Sequence, residues 1–173
     1  MNNSRKIKHT VLLGVLTAAA LTVFVLEAQF PPLTSIPGIK PGFSNLITLF
    51  CLAALSPKDA LTVLVLRIVL GGIYAGSPMM LAYSLCGGLC CLLCETLLMR
   101  LLPKNSLWAV SVAGAVVHNL AQLTLAVIIT KTPAVFWYAP YLIIAGVITG
   151  AFNGLAVWYT LKKASGIIKK LKK

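Results

Sequence analysis

The sequence predicts an all-α integral membrane protein, a bundle of six transmembrane helices with both termini on the cytoplasmic side. Composition is the first reason. Hydrophobic residues make up 59% of the 173 and charged residues only 10%, with a mean hydropathy of +0.94. A soluble domain carries roughly 25% charged residues. The second reason is pattern: the apolar residues fall into long runs with no strand-like alternation. The third is charge placement. Lysine and arginine crowd the two ends of the chain and one set of loops.

The first apolar run covers residues 9–28. It follows Arg5, Lys6 and Lys8 and passes through TAAA at 17–20, a combination that mimics a secretory leader. The run continues to Leu26 and further apolar runs follow, so a retained first helix is expected. The second run, 43–55, falls short of the roughly 20 residues a membrane helix needs. It must be tilted, half-inserted or lengthened by the segment before it, SIPGIKPGF at 35–43. The third run, 57–74, opens at the joint LSPKDAL. There Ser56 suits an N-cap, Pro57 the first helical position and Asp59 the positive end of the helix dipole. The fourth, fifth and sixth runs cover 78–101, 106–130 and 135–161. The membrane domain is thus 9–161, with basic cytoplasmic tails at 1–8 and 162–173. The last segment, LKKASGIIKKLKK, places Ile167, Ile168 and Leu171 on one side and reads as an anchor on the lipid surface.

Lysine and arginine orient the bundle. With both ends inside, the inner side collects Arg5, Lys6, Lys8, Lys58, Arg100, Lys104 and six C-terminal lysines. The outer side collects Lys40 and Lys131, and Arg67 lies within a span. The positive-inside rule then puts both termini in the cytoplasm of a multi-pass cell-membrane protein, expected in a bacterial plasma membrane. The formal net charge of +12 flanks apolar spans, so anionic membrane lipid explains it and nucleic acid does not.

Several polar residues stand where lipid-facing helices do not carry them. Arg67 lies near the middle of LTVLVLRIVLGGIYAG, where a charge must face protein or water. Ala60, Gly71 and Tyr74 share its helix face. Arg67 can contact an anionic ligand or form an internal ion pair, for which Glu27 is a candidate. In SVAGAVVHNLAQ, Ser111, Ala115, His118, Asn119 and Gln122 fall on one stripe, and such a row of hydrogen-bonding groups calls for partners. Gly146, Gly150 and Gly154 recur at four-residue spacing, with Asn153 on nearly the same side; internal helix packing is the favoured reading. Gly14, Ala18 and Thr22 repeat that spacing on the first run, where internal packing and docking of another membrane subunit both remain open. Cys86, Cys90, Cys91 and Cys94 cannot all reach one ion, because Cys86 and Cys94 are roughly 12 Å apart along a helix. Ordinary apolar packing is favoured over a partial soft-metal site, and no metal or other cofactor is expected.

No phosphate-binding GxxxxGK[ST] motif is present, no acidic pair stands ready for Mg²⁺, and Asp59, the single aspartate, lies at the inner surface. A stand-alone enzyme is not expected. The chemistry left to such a bundle is ligand binding or subunit assembly.

IPGIKPGFSNLITLFCLAALSPKDALTVLVLRIVLGGIYAGS, YSLCGGL, SVAGAVVHNLAQL and YLIIAGVITGAFNGL together resemble the Gx transporter family, also labelled heptaprenyl diphosphate synthase component I. The resemblance covers about residues 10–162. The stretch 37–76 also resembles the second and third helices of S-components of energy-coupling-factor vitamin transporters. Those six-helix proteins bind a vitamin near the outer face. The resemblance implies an S-component-like substrate-binding subunit for a small vitamin-like or anionic ligand, working with a transmembrane coupling subunit and ATPases. Residues 31–42 would form an external lid over Ser44 and Asn45. Arg67 would contact an anionic or carbonyl group, and His118, Asn119, Gln122 and Asn153 would supply directional hydrogen bonds. Tyr74, with Trp137 and Tyr141, would line the mouth. Gly14 and Ala18 stand where the family's coupling-subunit contact has a pair of alanines. The family's other label implies a different role: a non-catalytic membrane subunit beside a prenyl synthase, or a quinone-linked partner in isoprenoid quinone metabolism or electron transfer.

Overall fold

The computed structural model describes residues 3–29, 42–103 and 106–172, the last eight of these by backbone alone. Of the lid expected at 31–42, residues 31–41 lie outside the described residues, as does Lys104. Among the described residues six α-helices follow one another: α1 Asn3–Glu27, α2 Asn45–Ala54, α3 Pro57–Ala75, α4 Pro78–Leu101, α5 Leu107–Thr130 and α6 Ala139–Lys172. A 3₁₀ helix, Pro133–Tyr138, precedes α6. Among the described residues, four stretches are long and apolar enough to cross a membrane: Asn3–Glu27, Pro78–Leu101, Leu107–Thr130 and Pro133–Ala164. The 19-residue α3 carries Lys58, Asp59 and Arg67, and α2 has only 10 residues.

The helix starts follow from local chemistry. Ser56 caps α3 by accepting from the Asp59 backbone N–H at 3.2 Å, while its hydroxyl donates to the Asp59 carboxylate at 2.8 Å. Ser77 caps α4 in the same way, accepting from Met80 N–H at 3.3 Å ahead of Pro78. Between them α3 ends on Gly76, at φ +60°, a left-handed conformation that costs a glycine little.

Both outer helices are longer than their apolar runs. α1 begins inside the basic segment, and His9 Nε2 meets Asp59 Oδ1 at 2.8 Å, tying α1 to the start of α3. α6 starts later than expected, at Ala139, because Pro133–Tyr138 winds as the tighter 3₁₀ helix. Its 34 residues then measure about 51 Å, well beyond the roughly 30 Å of a hydrocarbon core. The helix therefore runs on through the basic tail. Lys162 lies 5.2 Å from the Trp158 ring and Lys163 4.8 Å from the Tyr159 ring, an arrangement suited to the membrane–water boundary.

Glycine lets α5 and α6 approach most closely. A Cβ on Gly150 would stand 2.6 Å from Val112 Cα, and one on Gly154 2.6 Å from Trp108 Cα. Gly146 faces the backbone of Val116 in the same way. The internal packing expected of this glycine series is what the structure shows. On the other side α1 lies over α3, with Phe24 filling the space left by Gly71.

The short α2 shapes the interior. Ten residues rise about 15 Å, half a hydrocarbon core. One end meets the Ser56 turn, so the other ends inside the bundle. Gly42, Ser44 and Asn45 at that end are all buried. Unpaired backbone N–H groups of a helix start cannot be left there without acceptors. The second run is thus a short helix with a buried start, and this creates a polar problem that neighbouring helices must solve.

Candidate functional site

Glu27, the last residue of α1, provides the acceptors. Its Oε1 accepts from the backbone N–H groups of Gly42 and Phe43, the latter at 3.1 Å, and its Oε2 from Ser44 N–H at 3.4 Å. Gly42 sits at φ +85°, and this bend turns successive N–H groups to one side as an anion-holding nest. The Gly42 carbonyl accepts from Asn153 Nδ2 at 3.3 Å, and Phe43 meets Phe152 edge to face at 5.9 Å. The start of α2 is thus held by both α1 and α6.

Arg67 approaches the same point from α3. Its Nη1 donates to Ser44 Oγ and its Nη2 to Asn45 Oδ1 at 3.2 Å. Only 2% of the residue is exposed, and its Nε has no partner among the described residues. The ion pair with Glu27 weighed from the sequence is not formed: no nitrogen of Arg67 lies within 4.0 Å of that carboxylate, and the one ion pair among the described residues is His9–Asp59. The two charges line the same cavity, each bonded to neutral groups at the start of α2.

Because Asn45 Oδ1 accepts from Arg67, its amide nitrogen faces His118 Nδ1 at 3.1 Å as donor. His118 and Gln122, one turn apart on α5, press against Gly87 of α4, where a Cβ would stand 2.9 Å from His118 Nδ1 and from Gln122 Cγ. Gln122 is 1% exposed and its Oε1 has no partner among the described residues. Phe24, Glu27, Gly42, Ser44, Arg67, Ser84, His118 and Gln122 line the cavity between these elements. Its volume is about 10 Å³, room for one water. A larger ligand must open it.

The sequence candidates divide. Arg67, Asn45, His118 and Gln122 come together, and Asn153 reaches the rim through the Gly42 carbonyl. Asn119 turns away, donating to the Leu142 carbonyl of α6 at 2.8 Å. Tyr74 is 67% exposed and does not line the cavity. It shares a face with Arg67, but Gly71 one turn earlier is where Phe24 covers that face. Trp137 and Tyr141 are exposed as well. Gly14 and Ala18 lie on the outward side of α1, and a Cβ on Gly14 would meet nothing within 4 Å. Among the described residues no group of three or more His, Cys, Asp or Glu side chains could hold a metal ion. Sequence reasoning missed Phe24 and Ser84 of the wall and Gly87 behind His118 and Gln122, and it placed Gly42 only at the end of the lid. The sequence signal for Gly42 was its place just before a helix start; for Gly87 and Ser84 the sequence offered none.

Gly87→Ala is expected to keep the helices and displace His118, breaking its bond to Asn45. Nitrogen NMR of the imidazole in detergent micelles reads this directly. An unchanged Nδ1 shift would mean that the close contact with Gly87 does not position the ring.

A family model described as heptaprenyl diphosphate synthase component I matches residues 16–160, which include every residue of the cavity wall. No curated protein matches the chain.

Proposed function

The chain belongs to the heptaprenyl diphosphate synthase component I family, and from that premise we propose that it is a non-catalytic membrane component that binds the anionic or carbonyl group of a small molecule at Arg67, as the substrate-binding subunit of a transporter. One observation carries this reading. Arg67 is buried yet unpaired with any carboxylate; two of its donors rest on Ser44 and Asn45, and Nε is left over beside a cavity. Glu27 balances the Arg67 charge across the cavity without touching it, whereas a purely structural buried pair is expected to close into direct contact. Gln122 Oε1 and Asn153 Oδ1 add unpartnered acceptors nearby, suited to a ligand that also donates.

Lysine and arginine placement supports a cavity toward the outer face, at the end where α1 finishes and α4 begins. A ligand would enter from outside. Transport would then require ATPases and a coupling subunit on other chains.

The family's description favours a second reading, a membrane partner of a prenyl synthase. The cavity wall is mostly polar, so a long prenyl chain would lie along the lipid-facing helices with only its polar end near Arg67.

Purification from native membranes in mild detergent, with mass spectrometry of everything retained, separates the two. The expected result is ATPase subunits and a second membrane subunit, with a bound small molecule. A prenyl synthase or quinone-linked reductase in their place would transfer the chain to the second reading. Recovery of neither partner nor ligand would remove both.

A further inference from the structure

We propose that Glu27 is a built-in stand-in for the ligand: the Gly42–Phe43–Ser44 nest beside Arg67 is a carboxylate seat, which a small-molecule carboxylate takes by displacing Glu27. This rests on reading the Arg67 cavity as a ligand site. It adds the chemical class of the ligand and the manner of its entry.

The seat is complete as built. Three consecutive backbone N–H groups converge on the two oxygens of one carboxylate, which is what a free carboxylate would ask of a protein. The start of α2 adds the positive end of a helix dipole. Two buried polar side chains that line the cavity each keep one atom without a partner among the described residues, and Gln122 of α5 does so independently of that helix start. Arg67 is 2% exposed with Nε unbonded, and Gln122 is 1% exposed with Oε1 unbonded. Neither is needed by Glu27.

Charge balance dictates exchange over addition. With Glu27 seated, the cavity wall holds one guanidinium and one carboxylate. A second carboxylate entering beside them would have no counterion in a membrane interior. If it replaces Glu27, the balance is kept. Glu27 is able to leave, because it ends α1 and is followed by the exposed Ala28 and Gln29. Its departure frees α1 from the start of α2, so occupancy of the seat is coupled to how α1 lies on the bundle.

Chemical rescue tests this. Glu27→Ala leaves the seat empty, and its thermal midpoint in detergent is expected to fall by about 5 °C or more. Acetate should restore at least half of the loss with a saturating dose dependence, whereas chloride at equal ionic strength should not. Wild-type protein should need at least about tenfold more acetate, since a tethered carboxylate competes at high effective concentration. Octanoate below its micelle concentration is the second probe. A response stronger than that to acetate would identify a lipid carboxylate, and an equal response a polar metabolite. If Glu27→Ala does not fold, Glu27→Gln serves, because its neutral amide yields to acetate more readily than the native carboxylate does. A folded variant that responds to acetate no more than to chloride overturns the proposal. Failure of the parent reading would look different: acetate would still rescue, but no native ligand would co-purify with wild-type protein.

Discussion

Arg67→Lys is expected to fold and to lose at least about tenfold in affinity for the co-purifying ligand, while Arg67→Ala abolishes binding. Lysine keeps the charge as a point. It cannot place two parallel donors on Ser44 and Asn45 and still present a third to the cavity. Arg67→Ala does more damage. It strands the Glu27 carboxylate in the interior without a counterion and leaves Ser44 Oγ and Asn45 Oδ1 without their donor. Breaking one side of a buried charge pair costs about 3–5 kcal/mol, so lost binding in this variant alone would be ambiguous. A charge-neutral double variant, Glu27→Gln with Arg67→Met, resolves it. Much of the stability lost in Arg67→Met should return, because no lone buried charge is left. Binding should stay lost. The measurements are thermal unfolding in detergent and equilibrium binding of the native ligand. Unchanged affinity in Arg67→Lys and in the double variant would remove Arg67 from the site.

The helices were legible because their causes are local. Ser56, Pro57 and Asp59 carry a helix start within four residues, and the Gly146, Gly150 and Gly154 spacing carries a packing face within three turns. The polar stripe of α5 was legible for the same reason, and His118, Asn119 and Gln122 are all buried. What each stripe member faces was not legible. Asn119 and His118 are neighbours in sequence, yet one bonds the α6 backbone and the other Asn45 at the start of α2. That division depends on where α2 stops, which follows from its length and from the position of the Ser56 turn in the bundle. Glu27 shows the same limit. Its charge suggested an ion pair with Arg67, but the buried N–H groups at the start of α2 make a stronger demand on its carboxylate, and only the assembled bundle brings them together. Tyr74 sits at the correct angle on α3, but angle alone does not say where neighbouring cover ends.

Gly150→Ala tests the other large dependence, the α5–α6 contact that carries Asn119 and Asn153 into place. The added Cβ would lie 2.6 Å from Val112 Cα and 2.8 Å from the Ser111 carbonyl oxygen. Both are backbone atoms, so no side chain can rotate to make room and the helices must separate. The expected loss is about 1–3 kcal/mol, the usual cost of overfilling a packed interior, and Gly150→Leu should not assemble the bundle. Gly14→Ala is the internal comparison. It belongs to a stripe of the same spacing, but its Cβ would meet nothing within 4 Å, so stability should hold or rise by a few tenths of the roughly 1 kcal/mol that separates glycine from alanine in a helix. Thermal unfolding of both variants in one detergent reads the difference. Separation of α5 from α6 also moves Asn153 away from the Gly42 carbonyl, so Gly150→Ala should weaken ligand binding although Gly150 does not line the cavity. Equal stability of the two alanine variants would mean that the glycine series does not set the distance between α5 and α6, and that something else positions Asn153 at the cavity rim.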